Sequence, residues 1–194
     1  MYAQVVNVLT TFLYNVIIWV VNASLIKSCS FVGHRTIEVT DNLINKVRQI
    51  IEKLIVEDNV GIFLFGSKSQ FNDLCYNVVT ELKEKYPDIK RVDVRNNYEF
   101  LNGVYLELTL KHFDDSIYPK ECSGAAKVSY IKRNWAMIDA SDYCVFYYDE
   151  QYLPPKRKQS KDDISLSQPK SGTALAFKYA KQKKKKVFNV FDVV

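Results

Sequence analysis

The chain has 194 residues, a size that suits one domain plus an appendage. Its formal charge of +5 is modestly basic; that suits an anionic small molecule, a nucleic acid or a membrane surface and selects none of them. Four cysteines without a Cys-x-x-Cys spacing, and only two histidines (His34 and His112), speak against a zinc site, so no metal is expected.

Met1 to Ile26 carries no charged side chain. Val5 to Ile26 is mostly apolar and, as a helix, long enough to span a bilayer. Lys27 and the basic residues after it would then keep the C-terminal part cytoplasmic. Val21-Asn22-Ala23 has the look of a cleavage site, but the positive start of a secretory signal is missing. A membrane anchor, a helix packed on the domain or on a partner, and an extension the fold does not need all remain open. Residues 1–27 are therefore set apart from a domain over 28–194.

Ser28 to Val32 reads as a short buried strand, and Gly33 lets the backbone turn or a ligand approach. His34 and Arg35 follow at once. Thr40-Asp41 caps a helix to about Glu57, with Leu43, Ile44, Val47, Ile50, Ile51, Leu54 and Ile55 at helical spacing. Val60 to Phe65 is a continuous apolar run, as a strand covered on both faces requires. Gly66-Ser67-Lys68-Ser69 ends it, and an amphipathic helix follows from about Phe71 to Lys85. Ile89 to Arg95 reads as a third strand. Within Asn96 to Cys122, Glu99 to Leu110 has helical character and Asp114 to Ser123 reads as loop.

Gly124 to Ala140 reads as a helix whose apolar set is Val128, Ile131, Trp135 and Ile138. Tyr143 to Tyr148 is a fourth strand. Gln151 to Lys170 is a long loop, of the kind that in compact domains is functional or disordered. Ser171-Gly172-Thr173 opens a helix to about Gln182, and Lys183 to Lys186 closes it, where cations suit the helix dipole. Val187 to Val193 is the last strand. Alternating strands and helices predict an α/β fold, a mostly parallel sheet of about five strands with helices on both faces, preceded by a hydrophobic N-terminal helix. Cys29, Cys75 and Cys144 sit among apolar neighbours and read as reduced core thiols, which points to the cytoplasm.

Three polar clusters stand at strand ends or helix starts: Gly33-His34-Arg35, Gly66-Ser67-Lys68-Ser69 and Ser171-Gly172-Thr173. In a parallel sheet such ends share one edge. Small hydroxyl residues and glycines at a helix N-terminus expose N–H groups that suit a phosphate, and Arg35 and Lys68 supply countercharge. Each cluster alone also reads as a cap or a tight turn. Together they predict an anion site, most simply for a nucleotide or another phosphorylated ligand. Neither a Walker A pattern nor Gly-x-Gly-x-x-Gly occurs, which disfavours a P-loop ATPase and a dinucleotide dehydrogenase.

Asn134 and Asp139 precede the fourth strand, Asp142 enters it, and all can reach the same edge. Asn134, beside apolar residues, is the better site candidate; Asp142 reads as a solvated polar. His34 can act as general acid or base, but no companion nucleophile is evident, so a hydrogen bond to phosphate or ribose suits it better. Lys156-Arg157-Lys158 and Lys183 to Lys186 read as solvated faces. No aromatic platform beside them favours nucleic acid.

Cys29-Ser30-Phe31-Val32-Gly33-His34-Arg35 resembles the Cys-x-Phe-x-Gly-His-Arg opening of the SLOG superfamily, in the group around bacterial DUF1273 (YpsA-like) proteins. Further matches follow in order: Phe65-Gly66-Ser67-Lys68-Ser69 with Phe71-Asn72-Asp73, Arg133-Asn134 with Met137-Ile138-Asp139 and Ser141-Asp142, then Pro169-Lys170-Ser171-Gly172-Thr173. The resemblance spans about Ser28 to Asp192. It implies a Rossmann-like sheet and a pocket for nucleotides or nucleotide-derived ligands. Gly33, His34, Arg35, Gly66, Ser67, Asn72 or Asp73, Ser171, Gly172 and Thr173 would line it. No separate cofactor is implied.

Relatives include DNA-processing proteins that bind single strands and the LOG phosphoribohydrolases, and many self-associate. Two departures stand out. Ala176 occupies the place of the LOG catalytic glutamate, so Asp73, Asp139 or Asp149 would have to substitute in an N-glycosidic hydrolase or transferase. Phe71-Asn72-Asp73 stands where the DNA-processing relatives have Gly-Ile-Asp. Binding of a nucleotide-derived ligand is the leading expectation; hydrolysis of a nucleotide N-glycosidic bond and single-stranded nucleic-acid binding are its rivals.

Overall fold

The computed structural model describes residues 26–66, 68–122, 126–152 and 171–191. The expected N-terminal helix and membrane span up to residue 25, Ser67, the start of the Gly124 helix, and most of the Gln151–Lys170 loop lie outside the described residues. No helix among the described residues is long and apolar enough to cross a membrane.

Strand β1 (Lys27–Gly33) leads into helix α1 (Asp41–Asp58). The Thr40 hydroxyl accepts the Leu43 N–H at 3.2 Å, which satisfies one of the open donors of the first turn. Asn59, at φ 57°, ends the helix in the left-handed conformation. Then come β2 (Val60–Phe65), α2 (Gln70–Lys85), β3 (Lys90–Val94) and α3 (Gly103–Leu110). The chain continues through β4 (Asp115–Ile117), a 3-10 turn (Lys120–Cys122), α4 (Ala126–Asp139), β5 (Tyr143–Tyr147), α5 (Gly172–Gln182) and β6 (Lys186–Asn189).

Among the described residues the sheet has six strands rather than about five, in the order β4-β3-β2-β1-β5-β6, and every neighbouring pair is parallel. The extra strand is β4, inside the stretch expected to be loop. Asp115-Ser116-Ile117 has no apolar run because an edge strand faces water on one side, and short polar edges resist pairing with other chains. The last strand closes at Asn189, short of Val193.

Alternate residues of each strand sort to the two faces. Cys29 and Phe31 of β1, Phe63 and Phe65 of β2, and Tyr143 and Val145 of β5 pack under α1 and α2. Phe31 stacks between Phe63 (6.0 Å) and Phe65 (5.1 Å). Each such buried ring stabilises the fold by about 2 kcal/mol. On the opposite face Val32, Cys144 and Phe146 meet Ile138 of α4 and Ala176 and Ala180 of α5, and Leu64 meets Met137. The result is an α/β, Rossmann-like sandwich with helices on both faces. The four cysteines are buried free thiols.

Both ends of β1 are fastened. At the amino end the Ser28 N–H donates to the Asp142 carboxylate (2.9 Å), the Asp142 N–H donates back to the Ser28 carbonyl (3.0 Å), and the Ser28 hydroxyl donates to the Ala140 carbonyl (2.6 Å). Asp142 thus ties β1 to β5. At the carboxyl end Gly33 lies under Phe71, and a Cβ there would come within 2.4–2.5 Å of the Phe71 side chain. Gly33→Ala is expected to cost about 1–3 kcal/mol through overpacking, read as a fall of several degrees in Tm. An unchanged Tm would contradict this contact.

Candidate functional site

From β1 the chain steps across β2, β3 and β4 in turn; β5 pairs with β1 on the other side. Strand order therefore reverses at the carboxyl end of β1. Crossover loops diverge there, which leaves a crevice where ligands bind in open α/β sheets. A cleft of about 500 Å³ opens at this point.

Gly33, His34 and Arg35 after β1, Gly66, Lys68 and Ser69 after β2, and Ser171, Gly172 and Thr173 at the start of α5 all line it. Asn134 lines it from α4. The three clusters expected from the sequence thus share one cavity. Ser67 lies outside the described residues. Tyr152 and Ser171, the last and first described residues around the long loop, both stand on its wall.

Local hydrogen bonds hold these segments. The Gln70 N–H donates to the Arg35 carbonyl (2.9 Å), and the Ile37 N–H donates to the Gln70 side-chain oxygen (2.9 Å). The loop after β1 is thereby tied to the start of α2. Ser69 and Ser171 cap α2 and α5: their hydroxyls accept the N–H groups of Asn72 (3.2 Å) and Ala174 (3.0 Å). Each serine supplies an acceptor to its own helix and leaves the other amino-terminal N–H groups to the surroundings. Gly66 is required by space, since a Cβ would meet the Met137 sulfur at 2.8 Å and the Arg133 side chain at 2.9 Å.

Four of the expected residues fall elsewhere, Asp142 among them, tied to Ser28 at the amino end of β1. Asn72 is buried in the first turn of α2, and Asp73 is exposed on that turn; neither lines the cleft. Asp139 lies at the opposite edge of the sheet. The reason is direction: α4 runs antiparallel to the strands, so five residues beyond Asn134 the helix has descended past the sheet's middle. There Asp139 accepts from the Tyr179 hydroxyl (2.7 Å) and pairs with Lys183 (3.0 Å). Partial burial pushes its carboxyl up, but Tyr179 and Lys183 outweigh this and hold it below the usual carboxylate range. Asp139 is a structural anion.

The residue that the sequence reading missed is Arg133. It is 3% exposed, yet it lines the cleft. One terminal nitrogen donates to the Asn96 oxygen (3.3 Å), the other to the Asn134 oxygen (3.1 Å), and Nε has no partner. Among the described residues no carboxylate pairs with it within 4.0 Å. Burial pushes its pKa down. The one carboxylate whose charge acts on it, Asp93, is itself held above the usual carboxylate range by burial. The sequence carried a signal. Met137 and Ile138 are buried on the sheet, and stepping back four residues from each lands on Arg133 and Asn134. Of the expected apolar set of α4, Ile138 is buried, but Val128 and Trp135 are exposed, and Ser129 is buried.

His34 is 2% exposed and stacked on Tyr152 (ring centroids 3.8 Å apart). Its Nε2 accepts the Asp149 N–H (2.9 Å). That bond requires the neutral ring with its proton on Nδ1, and this N–H is buried without a partner. Burial lowers the His34 pKa, against the opposing pull of Asp149.

Among the described residues that line the cleft there are three cations (Arg35, Lys68 and Arg133) and no carboxylate. Such a wall favours an anion. No protein-family model matches the chain, and a search of curated proteins returns no match.

An unfolded histidine titrates near pH 6.5, and the folded value of His34 is lower. The unfolded chain therefore takes up this proton first as pH falls. The contribution of His34 is complete above about pH 7 and is lost as pH drops through about 6.5 toward the folded value. Urea unfolding at stepped pH is expected to show this loss in the parent protein and not in His34→Gln. Nitrogen-detected imidazole NMR is expected to find the Nδ1–H tautomer.

Proposed function

We propose that the cleft binds a nucleotide or a nucleotide-derived phosphorylated ligand, with Arg133 and the first turn of α5 taking its anionic part. One observation carries this reading: a guanidinium buried on the wall of a cavity, held by two amides, with no described carboxylate beside it. An unpaired buried charge costs several kcal/mol, and a bound anion offsets that cost. The open N–H groups at the start of α5 face the same requirement, and an anion there is favoured by the helix dipole. Arg35 and Lys68 are exposed at the rim and add attraction at longer range. The Nδ1–H of His34 offers one more donor, suited to a phosphate or ribose oxygen.

The ordered motifs that resemble the SLOG superfamily support the same ligand class. A LOG-type hydrolase has less support. Ala176, at the place of its glutamate, is buried against Val32 and Phe146, and neither Asp73 nor Asp139 reaches the cleft. The Asp149 carboxylate accepts the Gln151 N–H (2.8 Å), which closes the turn after β5. Binding of single-stranded nucleic acid through the lysine runs has less support too. Lys183 pairs with Asp139, Lys185 donates to the carbonyls of Asp139 and Ser141, and Lys186 donates to the Tyr143 hydroxyl, all at the edge away from the cleft. Lys156-Arg157-Lys158 lies outside the described residues.

Titration calorimetry of the full chain against nucleoside mono-, di- and triphosphates tests the proposal. Hydrogen bonds to charged groups contribute about 1.5–3 kcal/mol, so Arg133→Gln is expected to weaken binding roughly tenfold to a hundredfold. Its Tm without ligand is expected to be unchanged or higher, since a buried charge is removed and a donor to Asn96 or Asn134 is kept. Absence of binding by the parent chain, or equal binding by the variant, would overturn the reading.

A further inference from the structure

Helix α3 buries none of its residues. Val104, Tyr105, Leu106, Leu108 and Leu110 are all exposed, so no one face is reserved for the domain. Just before the helix, Tyr98 is 78% exposed and Phe100 85%. Ile117, on the edge strand β4 that follows, extends the surface. A helix apolar all round belongs in an interior. One of eight residues is also too short to hold its shape in water by its own hydrogen bonds.

The size of the patch says what kind of cover it needs. Aromatic side chains present roughly 150–250 Å² each. Summed around the helix and its flanks, three exposed aromatics and five exposed aliphatics then offer on the order of 800 Å². That exceeds the largest patch of an ordinary monomer, about 300–600 Å², and matches what one partner gives to a stable interface of standard size, about 800 Å².

Charge narrows the occupant. From Tyr98 to Leu110 the charged residues are Glu99 and Glu107, with no lysine or arginine. A helix that lies on a lipid surface carries cations on its polar side, so lipid is a poor fit. Glu107 is paired with Lys111 (3.9 Å), and Arg95 lies against the Glu99 backbone (3.4 Å). The rim is close to neutral, so two like patches meet without net repulsion.

We infer that α3 and its flanks form the interface of a homodimer, an isologous contact in which the helix of one copy packs against the same surface of the other. This inference is independent of the ligand proposed for the cleft.

Sedimentation velocity of the full chain over a wide concentration range tests it. The parent chain is expected at dimer mass at high concentration. Tyr105→Glu with Leu108→Lys is expected to raise the dissociation constant at least about thirtyfold, the loss of one central contact, with circular dichroism and Tm unchanged. A chain that is monomeric at every concentration would overturn the inference, as would a dimer indifferent to the substitutions. A monomer whose residues 1–25 become protease-sensitive in the variant would assign the patch to that segment instead. A second measurement does not depend on the variant's fold. All four native cysteines are buried, so Leu106→Cys introduces one reactive thiol. A short bismaleimide is expected to link two such chains at low protein concentration, and failure to link them would contradict the interface.

Discussion

The structure depends on the seating of β1. It is the strand from which the chain departs in one direction and beside which it returns from the other, so β2 and β5 both read their register from it. Its amino end is fixed by the reciprocal bonds between Ser28 and Asp142, its carboxyl end by the fit of Gly33 beneath Phe71. These two fixings act at opposite edges of the sheet and serve different ends. The first sets which residues of β5 face which residues of β1. The second clears the floor of the cleft, because only a residue without a side chain lets α2 start so close to the strand end.

The cleft's other wall breaks the pattern that builds the rest of the domain. Every helix that covers the sheet turns apolar residues inward, but α4 turns Ser129, Arg133 and Asn134 inward above Met137 and Ile138. The Asn96 side chain ties this polar ladder to the end of β3, donating to Ser129 (3.0 Å) and accepting from Arg133. Local rules fail in natural proteins mainly where function or strain demands it. Here the failure is greatest in this stretch of α4, with Asn72 in the first turn of α2 and Thr173 in the first turn of α5 as single buried polar residues.

Most of the architecture was legible because the physics behind it is local. The apolar run of β2 and the spacing of Leu43, Val47, Ile51 and Leu54 each report burial directly, and both elements stand where the sequence put them. So do Gly33-His34-Arg35 and Ser171-Gly172-Thr173, because a parallel sheet brings strand ends to one edge without further assumptions. What stayed hidden depended on partners far along the chain. β4 has three residues with no periodic signal, and only its pairing with Val92, Asp93 and Val94 makes it a strand. Asp139 and Asn134 look alike in sequence, and only the length of helix between them decides which reaches the cleft. Arg133 reads as a surface residue until the helix phase is taken from Met137 and Ile138 rather than from Trp135, whose ring is exposed against Tyr179.

The pairing of β1 with β5 joins residues as far as 114 positions apart, as between Ser28 and Asp142. During synthesis at about 5–20 residues per second, β1, the most thoroughly buried strand of the sheet, therefore waits on the order of ten seconds with one flank uncovered. The early half of the domain, through α2 and β3, can assemble on the ribosome, but the crevice does not exist until β5 has emerged. Nascent chains of this protein thus expose one apolar line and hold no guest until Tyr143–Tyr147 has emerged and paired.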